Sequence, residues 1–596
     1  MTFQTYDPPG ANPQDIRDRV ERLRATFSAL DIEGVLVPHE DAYQSEYLPP
    51  SEERLAFITG FTGSAGRAVI LEEKALFVTD GRYTLQAASQ VPEDVFDVVS
   101  KDEDADQWLK SHLGDARIGY DPNLHARSRL EALAKTVPDV TLVALESHPV
   151  DGTWTDRPAP TVGMVRAHGT ERSGRTVAEK LADVRASFDA DGLFIGAADT
   201  VSWLFNWRGS DIAHTPLVLC RAFIPKEGPV TVFVDPHKLP NEFQEALEGL
   251  ADIEPTSAYP AALTRLSQNR TILADPAAAS EAALKAIEEG GSLKTGKDPA
   301  ARLKSIKNEA EIEGMRAAHQ RDGLAMVRLL AWLDANAVGQ TEIAVCERLE
   351  NLRREMGAMD VSFDTIAGAG PNGAIVHYRV DRNSNRTIAS GDPVLIDSGG
   401  QYEDGTTDIT RTIVAGDPSD EFKVQFTRVL KGHIAIARQH FPAGTTGAAL
   451  DSFARSALWS AGFDYQHGTG HGVGAALAVH EGPPGISKRS SAALEPGMIV
   501  SNEPGYYRQG AYGIRIENLV LVRPPEVPPG GDTPMLSFET ITLAPIDTRL
   551  VVPSMMSPGE LAWLDLYHAR VLGALGAELE PQTRDWLEAT CRPIGG

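Results

Sequence analysis

Asp397, Asp408, His471, Glu503 and Glu517 stand at unequal intervals, each inside a short segment built to hold it still. Four carboxylates and an imidazole drawn together would make a two-metal hydrolytic site. The segment V-L-I-D-S-G-G-Q-Y-E-D-G-T-T-D-I-T-R-T (394–412) reads as a buried strand through Asp397, a Gly-rich turn, and a β-branched returning strand. By the period of two, Asp408, Thr410 and Thr412 share one face, so Asp408 is expected opposite Asp397 across the hairpin. Two unpaired carboxylates repel by about 4 kcal/mol at ~4 Å and an effective dielectric of ~20. Cations resolve that conflict.

The remaining groups arrive in similar settings. H-G-T-G-H-G-V-G (467–474) places His467 and His471 among glycines, where a metal and backbone can approach closely. E-P-G-M-I-V-S-N-E-P-G-Y-Y (495–507) brings Glu503 off an apolar strand into a Pro-Gly turn. Y-G-I-R-I-E-N (512–518) reads as a strand in which Arg515 and Glu517 point the same way, the arginine orienting the carboxylate. Oxygen-rich ligation with one nitrogen suits a hard or borderline divalent ion. Manganese is the first expectation, with zinc, cobalt and iron as alternatives. Taken singly, each of these words is also a common turn; their joint order is what carries the reading.

That order resembles the ligand order of the pita-bread metallopeptidases, the M24 family that includes aminopeptidase P, prolidase and methionine aminopeptidase. The words H-G-T-G-H-G-V-G, V-H-E-G-P, L-E-P-G-M and N-E-P-G-Y-Y are similar to the aminopeptidase P branch. In the first half S-E-Y-L-P-P (45–50), G-F-T-G-S-A-G (60–66), T-D-G-R-Y (79–83) and W-L-F-N-W-R-G-S-D (203–211) resemble its three-domain cytosolic form. The resemblance implies an α/β (α+β) chain, two creatinase-like domains followed by a pita-bread domain, that removes the first residue from peptides with proline second. It further implies two divalent metal ions, with Asp397 on one, His471 and Glu503 on the other, and Asp408 and Glu517 bridging both around a hydroxide that attacks the first peptide bond. His377, His467 and His480 are candidates for holding the scissile carbonyl, stabilising the oxyanion and passing a proton to the leaving nitrogen, and Arg515 joins them in the catalytic set. Arg82 is implied to reach the substrate, in a binding group with His377, His471, His480 and Glu503. A homodimer is implied as well. An Xaa-Pro dipeptidase, or a pita-bread module that binds without catalysis, is the alternative; the second would be expected to have lost ligands.

Behind these residues stands a long chain. Its 596 residues suffice for three or four domains. A repeat marks two of them: V-E-R-L-R-A-T-F-S-A-L-D-I-E-G-V-L-V (20–37) and E-K-L-A-D-V-R-A-S-F-D-A-D-G-L-F-I (179–195) share a helix, an acidic-Gly turn and a buried strand. The expected division is 1–155, 156–307, 308–545 and 546–596, with a long helix over 308–336 beginning the third domain. In the last segment Ser557, Pro558 and Glu560 form a capping box ahead of an apolar helix, whose surface is expected to pack as core or to serve as a dimer contact. A formal charge of −27 argues against nucleic acid or an anionic membrane as partner. Cys220, Cys346 and Cys591 are too scattered for a disulfide framework. With no leader-like start and no apolar run long enough to span a bilayer, a cytoplasmic protein is expected.

Overall fold

The computed structural model describes residues 2–8 and 11–594. The chain forms two compact units. One is built from Pro9–Thr170 and Arg175–Lys304, the other from Ser305–Gly596 with Met1–Pro8 and Glu171–Gly174.

The first unit holds the two halves of the repeat. Each builds a six-stranded mixed sheet, and the strand orders match. In the first sheet Gly34–Pro38 lies between an antiparallel neighbour, Arg67–Leu71, and a parallel one, Arg117–Tyr120. In the second, Gly192–Ile195 lies between antiparallel Arg221–Pro225 and parallel Thr271–Ala274. Both central strands are buried along their whole length, which explains why G-V-L-V-P and G-L-F-I are unbroken apolar runs with no alternation. The two sheets are tied by Arg127, which reaches Glu281 at 2.7 Å and Glu288 at 2.6 Å. Arg221 adds a second tie: its guanidinium lies between the rings of Tyr43 and Tyr259, at 4.0 and 4.4 Å from their centroids.

The second unit opens with the helix Glu309–Asn336, started by a capping box between Asn308 and Glu311. Three antiparallel strands, Ile366–Ala369, Pro393–Ser398 and Ile409–Val414, form one sheet. A six-stranded antiparallel sheet runs in the order His440–Phe441, Met535–Thr540, Asn518–Glu526, Ile499–Asn502, Gly470–Gly472, Glu481–Ile486. The helices Asp420–Ala437 and Gly447–Trp459 pack on one another beside this sheet. The expected cap of the last long helix, Pro558–Leu575, is present: the Ser557 side chain accepts from the Glu560 amide while the Glu560 carboxylate accepts from the Ser557 amide. That helix buries Leu564, Tyr567 and Val571 in the core of the unit and leaves Leu566 72% exposed. The three cysteines are buried and free. Among the described residues no helix is long and apolar enough to cross a membrane.

Candidate metal centre

Four of the five ligand candidates sit within one residue of a strand end, and His471 stands inside a strand of three. Asp397 is the fifth residue of Pro393–Ser398, Asp408 immediately precedes Ile409–Val414, Glu503 follows Ile499–Asn502, and His471 is central in Gly470–Gly472. Strand ends give fixed backbone on one side and free direction on the other. Gly470 allows the His471 strand to close on its neighbour, because a Cβ there would lie 1.9 Å from the Ser501 carbonyl.

Asp408, His471 and Glu517 each offer a ligand atom within 4.8 Å of the others. His471 Nδ1 donates to the Gly472 carbonyl at 2.9 Å, since a carbonyl can only accept. Its Nε2 is therefore the nitrogen that faces Asp408 Oδ2 at 3.4 Å and Glu503 Oε1 at 3.6 Å. Two of the expectations need correction. The residue opposite Asp397 is Thr410, and Asp408 lies diagonally beyond it. The cause is in the turn, where Gly400–Gln401 leaves to pair with Asp360–Val361 and so sets the register. Arg515 does not pair with Glu517: the strand Tyr512–Arg515 ends there, and Glu517 falls in the break before Asn518–Glu526. Arg515 Nη2 instead donates to Asp397 Oδ2 at 2.5 Å, and Glu517 Oε2 accepts from Thr410 Oγ1 at 2.8 Å.

Arg515 is a hub. Besides Asp397 it reaches the Val376 carbonyl at 3.1 Å, Thr410 Oγ1 at 3.3 Å and the Tyr507 hydroxyl at 2.6 Å. Tyr507 in turn meets His467 Nε2 at 2.9 Å, while His467 Nδ1 lies 2.7 Å from the Gly468 carbonyl. His377 follows the carbonyl that Arg515 holds; its half-buried segment comes down from the turn Gly370–Ala374. There the hairpin that carries Tyr507 and Arg515 crosses Gly373 so closely that a Cβ on Gly513 would lie 1.7 Å from the Gly373 carbonyl. His480 sets its ring edge to face against His471, centroids 4.2 Å apart. Sequence reasoning missed Thr410, Tyr507 and Ser501; Ser501 donates from its hydroxyl to Glu503 Oε1 at 3.2 Å and accepts from the His471 amide at 3.0 Å. Thr410 shares the predicted strand face and Tyr507 closes N-E-P-G-Y-Y, so the signal was one residue type away. Arg82 lies in the other unit, where Asp80 takes its guanidinium at 2.7 Å and Glu46 lies 3.7 Å away.

The electrostatics are those of a site short of positive charge. Burial raises Asp397, and Arg515 counters it less than burial and Asp408 together push. Burial raises Glu503 and drives Glu517 well up, with Asp408 and Asp397 adding to both. Burial pulls His471 down, but the hydrogen bond to Asp408 and the charge of Glu503 outweigh it and set the imidazole at about 9. Asp397 Oδ1, Asp408 Oδ1 and Glu517 Oε1 are buried with no hydrogen-bond partner. Buried carboxylate oxygens without a donor are costly. Oxygens of this kind beside an imidazole nitrogen directed among carboxylates fit divalent cations.

Residues 313–524 match the model of metallopeptidase family M24, and residues 534–594 match the C-terminal region of peptidase M24. Residues 19–150 and 156–311 match two creatinase/prolidase N-terminal domain models. A probable Xaa-Pro aminopeptidase P of Laccaria bicolor is 41% identical, the alignment covering 99% of this chain and 95% of that protein. One from Aspergillus fumigatus is 39% identical over 97% of this chain and 92% of its own. Among solved structures, the X-prolyl aminopeptidase of Caenorhabditis elegans, described as a cytosolic enzyme with a di-nuclear active site, matches at a TM-score of 0.92 and 33% identity. That match covers 97% of this chain and all of the other.

Proposed function

We propose that this chain, which belongs to metallopeptidase family M24, is an Xaa-Pro aminopeptidase that releases the first residue from peptides with proline in second place. The observation that carries the reading is His471 Nε2, set between Asp408 Oδ2 and Glu503 Oε1, beside buried oxygens of Asp397, Asp408 and Glu517 that lack donors. Asp397, Asp408, His471, Glu503 and Glu517 would hold two divalent cations, manganese first, which would answer that shortage. Bound there, they would supply a water acidified toward neutral pH and an electrophile for the scissile carbonyl.

The chain's own residues do the rest. Arg515 fixes Asp397 and, through Tyr507, the ring of His467. His480, whose ring packs against His471, and His377, next in sequence to the carbonyl that Arg515 holds, would bind the substrate carbonyl and oxyanion and move a proton to the leaving imino nitrogen. Arg82 stays in the proposal on the resemblance alone, since its partners Asp80 and Glu46 belong to its own unit. An Xaa-Pro bond has no amide N–H and a fixed φ, which excludes it from peptidases that grip the backbone donor. We further propose a cytoplasmic homodimer divided at 1–155, 156–307, 308–545 and 546–596; the matches over 19–150, 156–311 and 313–524 support the first three divisions, while the C-terminal match, 534–594, begins before the fourth.

The test is incubation of the purified protein and manganese with Arg-Pro-Pro, its alanine-second counterpart, its N-acetylated form and an Xaa-Pro dipeptide. Arg-Pro-Pro should lose arginine, the alanine peptide should be cut far more slowly, and acetylation should abolish cleavage. Equal rates on proline and alanine peptides would replace this reading with a general aminopeptidase. Cleavage of the dipeptide alone would replace it with a dipeptidase.

A further inference from the structure

Behind the carboxylates lies a second polar layer that the reading above does not use. Arg411 is 2% exposed and spends every donor on the protein. Its Nε donates to the Pro545 carbonyl at 3.0 Å, and Nη1 to the carbonyls of Thr410 at 2.8 Å and Glu517 at 2.7 Å. Its Nη2 meets the Ala544 carbonyl and Asn518 Oδ1 at 2.8 Å and the Tyr567 hydroxyl at 2.9 Å. Tyr567, on the helix Pro558–Leu575, donates its hydroxyl hydrogen bond to the Ala544 carbonyl at 2.8 Å. The layer continues through His433: Asn518 Nδ2 lies 3.0 Å from its Nε2, and its Nδ1 donates to the Asn502 carbonyl at 3.1 Å. Trp563, one turn before Tyr567 and stacked on it, sets its ring edge to face on His433 at 5.9 Å. Asn502 and Asn518 are the residues beside Glu503 and Glu517, and they face each other as a register pair.

We propose that Tyr567, acting through Arg411, is a positioning residue for the metal centre: the C-terminal helix sets where the Glu517 carboxylate stands. The inference rests on the proposed ligand role of Glu517. The physical reason is that Glu517 lies between strands, so no ladder of backbone bonds fixes it beyond its amide, which donates to the Thr410 carbonyl at 3.1 Å. The Arg411 guanidinium grips the carbonyl of that same residue, and Tyr567 and Ala544 fix the guanidinium. The C-terminal region is thereby part of the site without touching substrate.

Tyr567→Phe removes one hydroxyl and keeps the ring stacked on Trp563. In the full-length metal-loaded protein it should release metal to a chelator about tenfold more readily, the scale of a lost outer contact, with kcat lowered and KM unchanged. Leu564→Ala, a core truncation on the same helix, serves as the comparison at matched loss of melting temperature and should release metal as wild type does. Arg411→Lys, which keeps the charge but cannot reach both carbonyls, should exceed Tyr567→Phe in metal loss and serves in its place should the latter fail to accumulate folded. Metal retention of Tyr567→Phe within twofold of wild type, or equal loss in Leu564→Ala, overturns the proposal. Because retention is read without peptide, a wild type that cleaves no Xaa-Pro peptide would sink the functional reading and leave this one standing.

Discussion

Asp211 in the N-terminal unit and the carboxylates Asp397, Asp408 and Glu517 beside His471 are all buried and opposite in kind. Asp211 Oδ1 accepts from the Gly163 amide at 2.9 Å; Oδ2 accepts from the Leu219 amide at 2.7 Å and from Lys238 Nζ at 2.9 Å. Its charge is matched by one cation and both oxygens are served, so the group is complete within the chain. Around His471 four carboxylates have only Arg515, bonded to Asp397, and the imidazole itself to offset them, and three of their oxygens are without donors. A buried charge that the fold needs for itself is closed; one kept for a ligand is left open. The polar word W-R-G-S-D gives no hint of this difference, because the residue type is the same and only the partners differ.

The largest effect should come from the open side. Asp408→Asn or Glu517→Gln removes a charge that both cations would share, so activity should fall to background with metal content, while the metal-free protein should be no less stable than wild type because a repulsion is gone. Elemental analysis with thermal melts decides it; wild-type turnover at matched metal would refute the assignment. On the closed side the pattern should invert. Asp211→Asn strands the Lys238 ammonium in the interior, an imbalance that costs about 3–5 kcal/mol, and should leave metal content untouched. Denaturant titration of that variant would break the contrast if its stability matched wild type.

A smaller effect separates ligands from helpers. His377→Ala and His480→Ala should keep about two metals and lose kcat/KM on the order of 100-fold, the scale of a lost acid-base or oxyanion contact. His471→Ala should lose metal and activity together, and metal loss in His377→Ala would reverse these roles. Smallest is the pH response of the metal-free protein. His471, set at about 9, and the raised Asp397, Glu503 and Glu517 all bind protons more tightly folded than unfolded. Stability from these groups is therefore present at low pH and lost as pH rises. For His471 the loss runs from about 6.5, its unfolded value, to about 9. The melting temperature of the metal-free protein should fall by a few degrees across that window, whereas the metal-loaded protein, its ligands already deprotonated, should hold. Parallel curves for both forms would mean that the cations sit elsewhere.

Much of this was legible in the chain. The ligand set lies in short words because a strand end followed by a Gly or Pro turn is a local device, and the twin sheets are visible as a repeat because their buried central strands demand apolar runs. What lay beyond reading was long-range. Arg515 and Asp397 are 118 residues apart, Arg411 and Tyr567 are 156 apart, and no local pattern says which carboxylate an arginine will choose. The register error at Asp397 has the same origin, since Gly400–Gln401 pairs with a strand outside the hairpin.

The pairing of Asn502 with Asn518 has one more consequence. Glu503 and Glu517 leave from the same rung, so the hairpin Gly505–Arg515 between them is an excursion whose length does not set their separation. Its exposed tip, Arg508 to Gly510, can lengthen, shorten or change sequence while the rung stays shut. Lineages could remodel that tip at little risk to the chemistry, and an engineer could attach a fluorophore at Gln509 without loosening the rung that carries the two glutamates.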